Sequence, residues 1–259
     1  MMWICVSEYG AATYGRNGVA PSYAQFAVPD SISQDLAYYV DASFFVRTSK
    51  QSGLLFFIGT DASVAGSNET FFKIELSEEG VVTRLKLGGE IETSILPGFI
   101  ADGVQHFVHV TRNYSSLVIQ LDNMSQVYAV DYSMPLVADL MYVGGMPSKN
   151  RRRHRDTYSE QFSGTLQDFQ LNGVRLQSFP VNSTDEDGSP APSVELPVKL
   201  LAVDEGEQSN DVCLLQQPCE NNATCQTQFY NNFRFLPTAF CYFSLAVVNL
   251  AYCANANNM

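Results

Sequence analysis

The sequence predicts an all-β fold, an antiparallel sandwich or barrel, on the basis of three observations. Residues 38–171 consist of short β-rich runs separated by Gly, Asn, Asp and Ser, and no stretch keeps a helical period. Several of these runs alternate apolar with polar side chains, as strands that are buried on one face do. The runs also recur at regular spacing, which is typical of sandwiches and barrels.

The strands can be placed one after another from this alternation. Residues 43–47 and 54–58 are predicted to pair first, around a turn at residues 49–53. The run 71–76 separates apolar from charged side chains, with Phe72, Ile74 and Leu76 on one face and Lys73 and Glu75 on the other. Further strands are expected at residues 81–87, 107–112, 117–121, 140–143 and 166–171, of which 107–112 and 117–121 form a hairpin. Asn172-Gly173 then signals a type I′ turn.

The overall composition indicates a folded, acidic protein. Hydrophobic residues make up 46% of the 259 residues and charged residues 16%, which is typical of globular domains. The net charge of -12 disfavours a nucleic acid as partner, because phosphate recognition needs clustered Lys and Arg. Calcium or basic ligands suit this charge better.

The cysteines and the glycosylation sequons point to an oxidising compartment. The six cysteines avoid the predicted strands, standing at Cys5, Cys213, Cys219, Cys225, Cys241 and Cys253. Sequons for N-linked glycosylation occur at Asn68, Asn113, Asn123, Asn182 and Asn222. Residues 1–6 are apolar but too few for a signal peptide, so we expect an internal part of a longer secreted or membrane-spanning protein.

Five motifs in order along the chain resemble the laminin G domain. They lie at residues 44–48 (FFVRT), 52–59 (SGLLFFIG), 102–112 (DGVQHFVHVTR), 140–147 (LMYVGGMP) and 162–173 (FSGTLQDFQLNG). The resemblance implies a two-sheet antiparallel β-sandwich of jelly-roll type. It also implies a late disulfide with a cysteine directly after Phe-x-Gly, and this chain has Thr165 there.

A second resemblance follows the first. Residues 211–225 look like the first half of an EGF-like module, and the Cys-x-Cys expected after residue 233 is absent. In that family the first and third cysteines pair, which implies a disulfide between Cys213 and Cys225. A laminin G domain followed by an EGF-like unit is similar to the Crumbs family of apical polarity proteins, and alternatively to the Eyes shut, agrin and neurexin families.

We therefore expect five regions. They are a poorly defined extension at 1–20, the sandwich at 21–180, an acidic and Pro-rich linker at 181–210, the partial EGF-like module at 211–230, and an apolar tail at 231–259. The tail is long enough to test as a membrane span, but Pro237, Asn249 and the lack of basic residues on its C-terminal flank argue against a span. The alternative is a non-native tail, produced when an exon boundary is read through. Because residues 21–180 contain no cysteine, they are predicted to fold cooperatively under reducing conditions.

No motif for catalysis is present, so we expect the chain not to be an enzyme. Gly-x-Ser-x-Gly and P-loop patterns are absent, and no pair of carboxylates stands out for glycoside hydrolysis. His106 and His109 lie three residues apart on one predicted strand, so their side chains should point to opposite faces and not share a metal.

One basic cluster stands out in the acidic sequence, at Arg151, Arg152, Arg153 and Arg155. It falls in a predicted loop, where the simplest interpretation is a solvated insertion. The functional alternatives are contact with a sulfated glycan and cleavage by a proprotein convertase, since such clusters attract polyanions and acidic protease pockets.

Calcium is the cofactor that the laminin G resemblance implies, bound at one rim of the sandwich. The family has an Asp just before the strand that begins at Phe71, and this chain has Thr70 there. Weak candidate ligands remain at Asp61, Glu69 and Asp122. We expect no calcium site with a dissociation constant tighter than about 1 mM, because affinity rises with the number of charged oxygens.

These observations lead to two functional hypotheses. The first is a non-catalytic adhesion or interaction module, binding an extracellular protein domain or a glycan, in a larger apical membrane protein that resembles Crumbs and acts in epithelial cell polarity. The second is a secreted glycan-binding matrix component of the agrin or Eyes shut type.

Overall fold

The computed structural model describes residues 11–16, 21–60, 69–147, 160–179, 194–206, 224–227 and 251–254. The chain divides into two compact units, residues 1–206 and residues 207–259. The first unit is a sandwich of two β-sheets, which confirms the predicted fold class.

Sheet A, the nine-stranded sheet, has the order β10-β9-β8-β3-β12-β1-β16, with β13 beside β12 and β14 beside β13. Its strands are β1 (Ala12–Tyr14), β3 (Tyr39–Arg47), β8 (Gln105–Asn113), β9 (Ser116–Leu121), β10 (Met124–Ala129), β12 (Gly164–Leu171), β13 (Val174–Leu176), β14 (Val194–Glu195) and β16 (Val203–Glu205). All pairs are antiparallel except β13–β14.

Sheet B, the seven-stranded sheet, has the order β15-β2-β11-β4-β5-β6-β7 and is antiparallel throughout. Its strands are β2 (Tyr23–Ala27), β4 (Gly53–Gly59), β5 (Thr70–Ser77), β6 (Gly80–Leu87), β7 (Ile91–Pro97), β11 (Leu140–Val143) and β15 (Lys199–Leu201). A one-turn helix α1 (Asp30–Ser33) and a 3-10 turn (Asp35–Ala37) lead from β2 into β3.

The predicted first pairing, residues 43–47 with 54–58, is wrong. Strand β3 pairs with β8 and β12 in sheet A, whereas β4 pairs with β5 and β11 in sheet B. Both strands point their apolar side chains into the same core, where the Phe169 ring lies 4.8 Å from Phe44 and 5.1 Å from Phe56. Local alternation could not distinguish a hairpin from a crossover between sheets, because both bury the same faces.

Two other local predictions are confirmed. Strands β8 and β9 form the expected hairpin. At the turn between β12 and β13, Asn172 and Gly173 have φ values of 48° and 79°. A type I′ turn requires positive φ at both central residues, which Asn and Gly adopt at least cost.

Strands from outside the predicted range 21–180 help to build the sandwich. Strand β1 inserts between β12 and β16 in sheet A, and β15 forms the end of sheet B beside β2. Tyr14 on β1 is 1% exposed, and its hydroxyl lies 2.7 Å from the Ser178 Oγ atom. Burial raises the pKa of Tyr14, and the side chain therefore stays protonated. A Cβ atom at Gly144 would come within 2.1 Å of the Tyr14 ring, so this site requires glycine.

In the second unit, the structure describes one antiparallel pair, β17 (Thr224–Thr227) with β18 (Ala251–Ala254). Cys225 is opposite Cys253 in its register. Cys213, the partner that the EGF-like resemblance implies for Cys225, lies outside the described residues. None of the helices in the described ranges is long and apolar enough to cross a membrane.

Candidate functional site

The outer face of sheet A carries a row of polar groups around Asp41. This carboxylate lies 2.6 Å from the His109 Nε2 atom and accepts hydrogen bonds from the hydroxyls of Thr111, at 3.3 Å, and Tyr39, at 3.2 Å. The Asp41 and His109 side chains are 36% and 35% exposed, so solvent and partners reach them. Burial and then the charge of Asp41 raise the pKa of Tyr39, which keeps its hydroxyl available as a donor.

Aromatic rings stand next to these polar groups on the same face. The rings of Phe45 on β3 and Phe107 on β8 lie 5.1 Å apart, and the Phe107 and His109 rings lie 6.1 Å apart. Phe45 and Phe107 are both partly exposed. A mixed surface of aromatic rings and hydrogen-bonding groups is the composition found at the centre of interaction surfaces.

A second cluster lies at the rim, where β8 begins and β9 ends. The His106 Nδ1 atom is 2.7 Å from the Asp122 carboxylate, and its Nε2 atom is 3.1 Å from that of Asp102. Burial lowers the pKa of His106, but the hydrogen bonds to Asp122 and Asp102, together with their charges, outweigh burial and raise it above 6.5. His106 and His109 therefore bond to different carboxylates.

The rim at which the resemblance implies calcium is closed by hydrogen bonds. The Thr70 hydroxyl donates to the Val137 carbonyl oxygen at 2.7 Å and accepts from the Val137 amide at 3.0 Å. Glu69 forms an ion pair with Lys86 at 3.3 Å, and Asp122 is held by His106. Within the described part of the chain, no group of three or more His, Cys, Asp or Glu could hold a metal ion. The described residues therefore do not fit a calcium ion, and Asp61 lies outside them.

The outer face of sheet B is different, because its central strands β4, β5 and β11 are almost fully buried. Four aromatic residues on four neighbouring strands contact one another in a row: Tyr23, Tyr142, Phe57 and Phe71. Beside this row, the Glu75 carboxylate contacts the Lys73 Nζ atom at 2.9 Å and the Arg84 Nε atom at 2.6 Å. Lys73 is 1% exposed, and burial lowers its pKa against the effect of Glu75.

Sequence reasoning missed the carboxylate partners of both histidines and the burial of Lys73 and Glu75. Asp102 lies four residues before His106, but its side chain approaches the ring because a turn precedes β8. Asp41 lies 68 residues before His109, and only the β3–β8 pairing brings them together.

Two of the five predicted glycosylation sites lie within the described residues. Asn113, at the end of β8, and Asn123, in the β9–β10 turn, are both exposed, as glycosylation requires. The other predicted positions lie outside the described residues, namely Asn68, Asn182, Asn222, Asp61, Cys213, Arg151, Arg152, Arg153 and Arg155.

Comparison with known proteins yields a family and two curated relatives. Residues 46–174 match the model of the laminin G domain. Protein crumbs homolog 2 of Mus musculus is 30% identical over 231 residues, which cover 88% of this chain and 15% of that protein. Protocadherin Fat 4 of Mus musculus is 25% identical over 187 residues, which cover 71% of this chain and 3% of that protein. The chain thus spans a small part of the length of these relatives.

A solved structure supports the same fold. Domains LG4-5 of the mouse laminin alpha1 chain superpose with a TM-score of 0.59 at 20% sequence identity, covering 76% of this chain and 47% of that chain. At this identity the match concerns the fold alone.

Proposed function

The sandwich of this chain belongs to the laminin G domain family, and from this we propose that the chain is a non-catalytic interaction module on the extracellular side of the plasma membrane. We place it in a larger membrane-anchored apical protein of the Crumbs type, with a role in epithelial cell polarity. Its partner is an extracellular protein domain or a glycan, and the module has no resident cofactor.

The observation that carries this proposal is the extent of the similarity to Protein crumbs homolog 2. It covers 231 residues, whereas the laminin G domain match covers residues 46–174. The similarity therefore extends beyond the motifs that sandwiches of this family share.

The outer face of sheet A is the surface that suits a partner best. It combines the partly exposed rings of Phe45 and Phe107 with the Asp41–His109 pair, so it offers both apolar area and directional hydrogen bonds. The centre of the outer face of sheet B has almost no accessible surface to offer, since Phe57, Phe71 and Lys73 are no more than 2% exposed.

Binding to epithelial cells tests the proposal. The full chain, secreted with a heterologous signal peptide and a fluorescent label, should bind saturably to the apical surface of a polarised monolayer. Phe45→Thr and Phe107→Thr should each weaken binding at least about tenfold, as expected when an anchor residue worth about 1.4 kcal/mol is lost. Tyr132→Thr is the matched control, because Tyr132 is 53% exposed but lies outside β3 and β8.

Folding of each variant is checked by its melting curve before binding is measured. Equal binding by wild type and both phenylalanine variants would reject sheet A as the contact surface. Absence of saturable binding to any epithelial surface would reject the proposed function.

The second candidate function, a glycan-binding matrix component of the agrin or Eyes shut type, is favoured by the basic cluster at residues 151–155. If these arginines contact sulfated glycans, the chain should bind heparin at low salt and release it steeply as salt rises, because several ion pairs are screened together. Replacing Arg151, Arg152, Arg153 and Arg155 by Ser should abolish retention. Unchanged retention of that variant would reject the glycan function and leave the binding to cells unaffected.

A further inference from the structure

In the part of the chain that the structure describes, the two sheets end in five strands, and four of these have a feature that discourages pairing with another chain. An end strand exposes unpaired backbone groups along one side, and charges, prolines or covering side chains protect it. Strand β7 ends at Pro97, and the Tyr128 hydroxyl donates a hydrogen bond to the Ile95 carbonyl oxygen on this strand. Strand β15 begins with Lys199, β16 carries Asp204, and β14 is only two residues long and contains Glu195.

Strand β10 has none of these features. Among the strands that the structure describes it pairs with β9 alone, and its sequence from Met124 to Ala129 contains neither a charged residue nor a proline. Met124 is 49% exposed and Val127 is 66% exposed. A six-residue end strand of this kind is long enough to template the addition of another strand.

The sequon Asn123-Met124-Ser125 lies where it can protect this strand. Asn123 is the exposed residue immediately before β10, and Ser125 is exposed on the strand itself. A glycan is bulky and strongly solvated, so one attached at this turn would occupy the space beside the first residues of β10. We propose that an N-linked glycan on Asn123 protects the β10 edge from antiparallel pairing with a second copy of this chain.

A second copy is the partner that an unprotected β10 fits. Two copies of the segment from Met124 to Ala129 can pair antiparallel without bringing like charges opposite each other, because the segment is uncharged. The net charge of -12 opposes association over long distances. At physiological ionic strength this repulsion is screened beyond about 8 Å and does not protect a strand edge at contact.

The test uses the full chain secreted from mammalian cells behind a heterologous signal peptide. Peptide mapping by mass spectrometry should find a glycan on Asn123, and sedimentation velocity should show a monomer. Asn123→Gln and Ser125→Ala remove the sequon in two independent ways, and both should shift the protein to a dimer that grows with concentration. Asn123→Gln combined with Val127→Lys should restore the monomer, since Lys blocks strand addition.

The matched control is Asn113→Gln, which removes an exposed sequon on β8, two strands inward from β10. This variant should stay monomeric. The proposal is overturned if wild type without a glycan on Asn123 is monomeric, if Asn123→Gln stays monomeric, or if Asn113→Gln dimerises equally. The proposal needs passage through the secretory pathway but no particular binding partner, so failure of the binding test above leaves it standing.

Discussion

The outer faces of the two sheets follow the same alternation of side chains, but the outward residues are partly exposed on the central strand β3 of sheet A and buried on the central strands β4 and β5 of sheet B. On sheet A, the outward residues of β3 are all partly exposed, and Asp41 and His109 interact within reach of solvent. On sheet B, every residue of β4 is buried, and on β5 the charged pair of Lys73 and Glu75 is buried with it. Alternation in the sequence therefore predicts which residues share a face of the sheet, but not whether that face is exposed to solvent.

The difference changes what an ion pair contributes to stability. A pair exposed to solvent contributes little, because water screens the charges and the side chains lose entropy. A buried pair has lost its hydration, so removing one partner leaves an expensive charge.

The largest expected effect concerns the strands that both sheets take from outside residues 21–180. A fragment of residues 21–180 lacks β1, β14, β15 and β16, and with them the buried side chain of Tyr14. Loss of a buried aromatic residue alone costs about 3–5 kcal/mol, so we now expect this fragment to lose its cooperative unfolding transition, in contrast to the expectation from the sequence. A fragment of residues 11–206 contains no cysteine and should unfold cooperatively with reductant present.

Circular dichroism melts of the two fragments provide the measurement. If the fragment of residues 21–180 melts as sharply as the fragment of residues 11–206, the strands outside residues 21–180 are not needed for cooperative folding of either sheet.

The next effect concerns the closed face of sheet B. Glu75→Gln removes the carboxylate that Lys73 contacts at 2.9 Å, and the free energy of unfolding should fall by about 3–5 kcal/mol. The double variant Lys73→Met with Glu75→Leu should recover most of this loss, since it leaves no buried charge behind from the pair. Urea titrations measure both values, and a loss below about 1 kcal/mol in Glu75→Gln would mean that this face is open to water.

The matched change on the open face of sheet A is Asp41→Asn. It keeps one acceptor oxygen, which can serve either Thr111 or Tyr39 because these two donate to different oxygens of Asp41, and it removes the charge that His109 contacts. We expect a loss of no more than about 1 kcal/mol in the same urea titration, the value of a solvent-exposed polar contact. A loss as large as that for Glu75→Gln would remove the distinction between the two faces.

A smaller effect depends on pH and involves His106 at the rim. Because its pKa is raised in the folded state, its stabilising contribution is fully present below the unfolded pKa and is lost as pH rises through the folded pKa. The stability difference between wild type and His106→Gln should therefore be larger at about pH 5.5 than at about pH 8. Asp102→Asn should reduce this pH dependence, and a difference that is constant with pH would contradict the assignment.

The smallest effect is expected from calcium. With Thr70 bonded to Val137 and Glu69 paired with Lys86, a dissociation constant no tighter than about 1 mM is expected. Adding about 1 mM calcium should then raise the free energy of unfolding by less than about 0.4 kcal/mol. Calorimetry that yields a micromolar dissociation constant would contradict this, and its loss in Asp122→Ala would identify the ligand.

The sequence by itself determined the fold class, the family and most strands of the sandwich. These three features can be recognised from local sequence patterns, which do not depend on tertiary contacts. The alternation in residues 71–76 defined the two faces of β5. Asn172-Gly173 defined the turn between β12 and β13, because these two residues adopt its backbone conformations most easily. The five laminin G motifs are local signals of the same kind, since all of them contain apolar positions and four of them contain glycine.

Tertiary structure alone decided how strands far apart in the chain meet, and which outward faces are buried. Residues 43–47 and 54–58 have the same local pattern whether they pair or cross between sheets, because both arrangements bury the same side chains. The contact of Asp41 with His109 and the burial of Lys73 with Glu75 follow from strand neighbours and from neighbouring side chains packed on the same face. Burial is a property of what surrounds a residue in space, and a linear pattern contains no information about those surroundings.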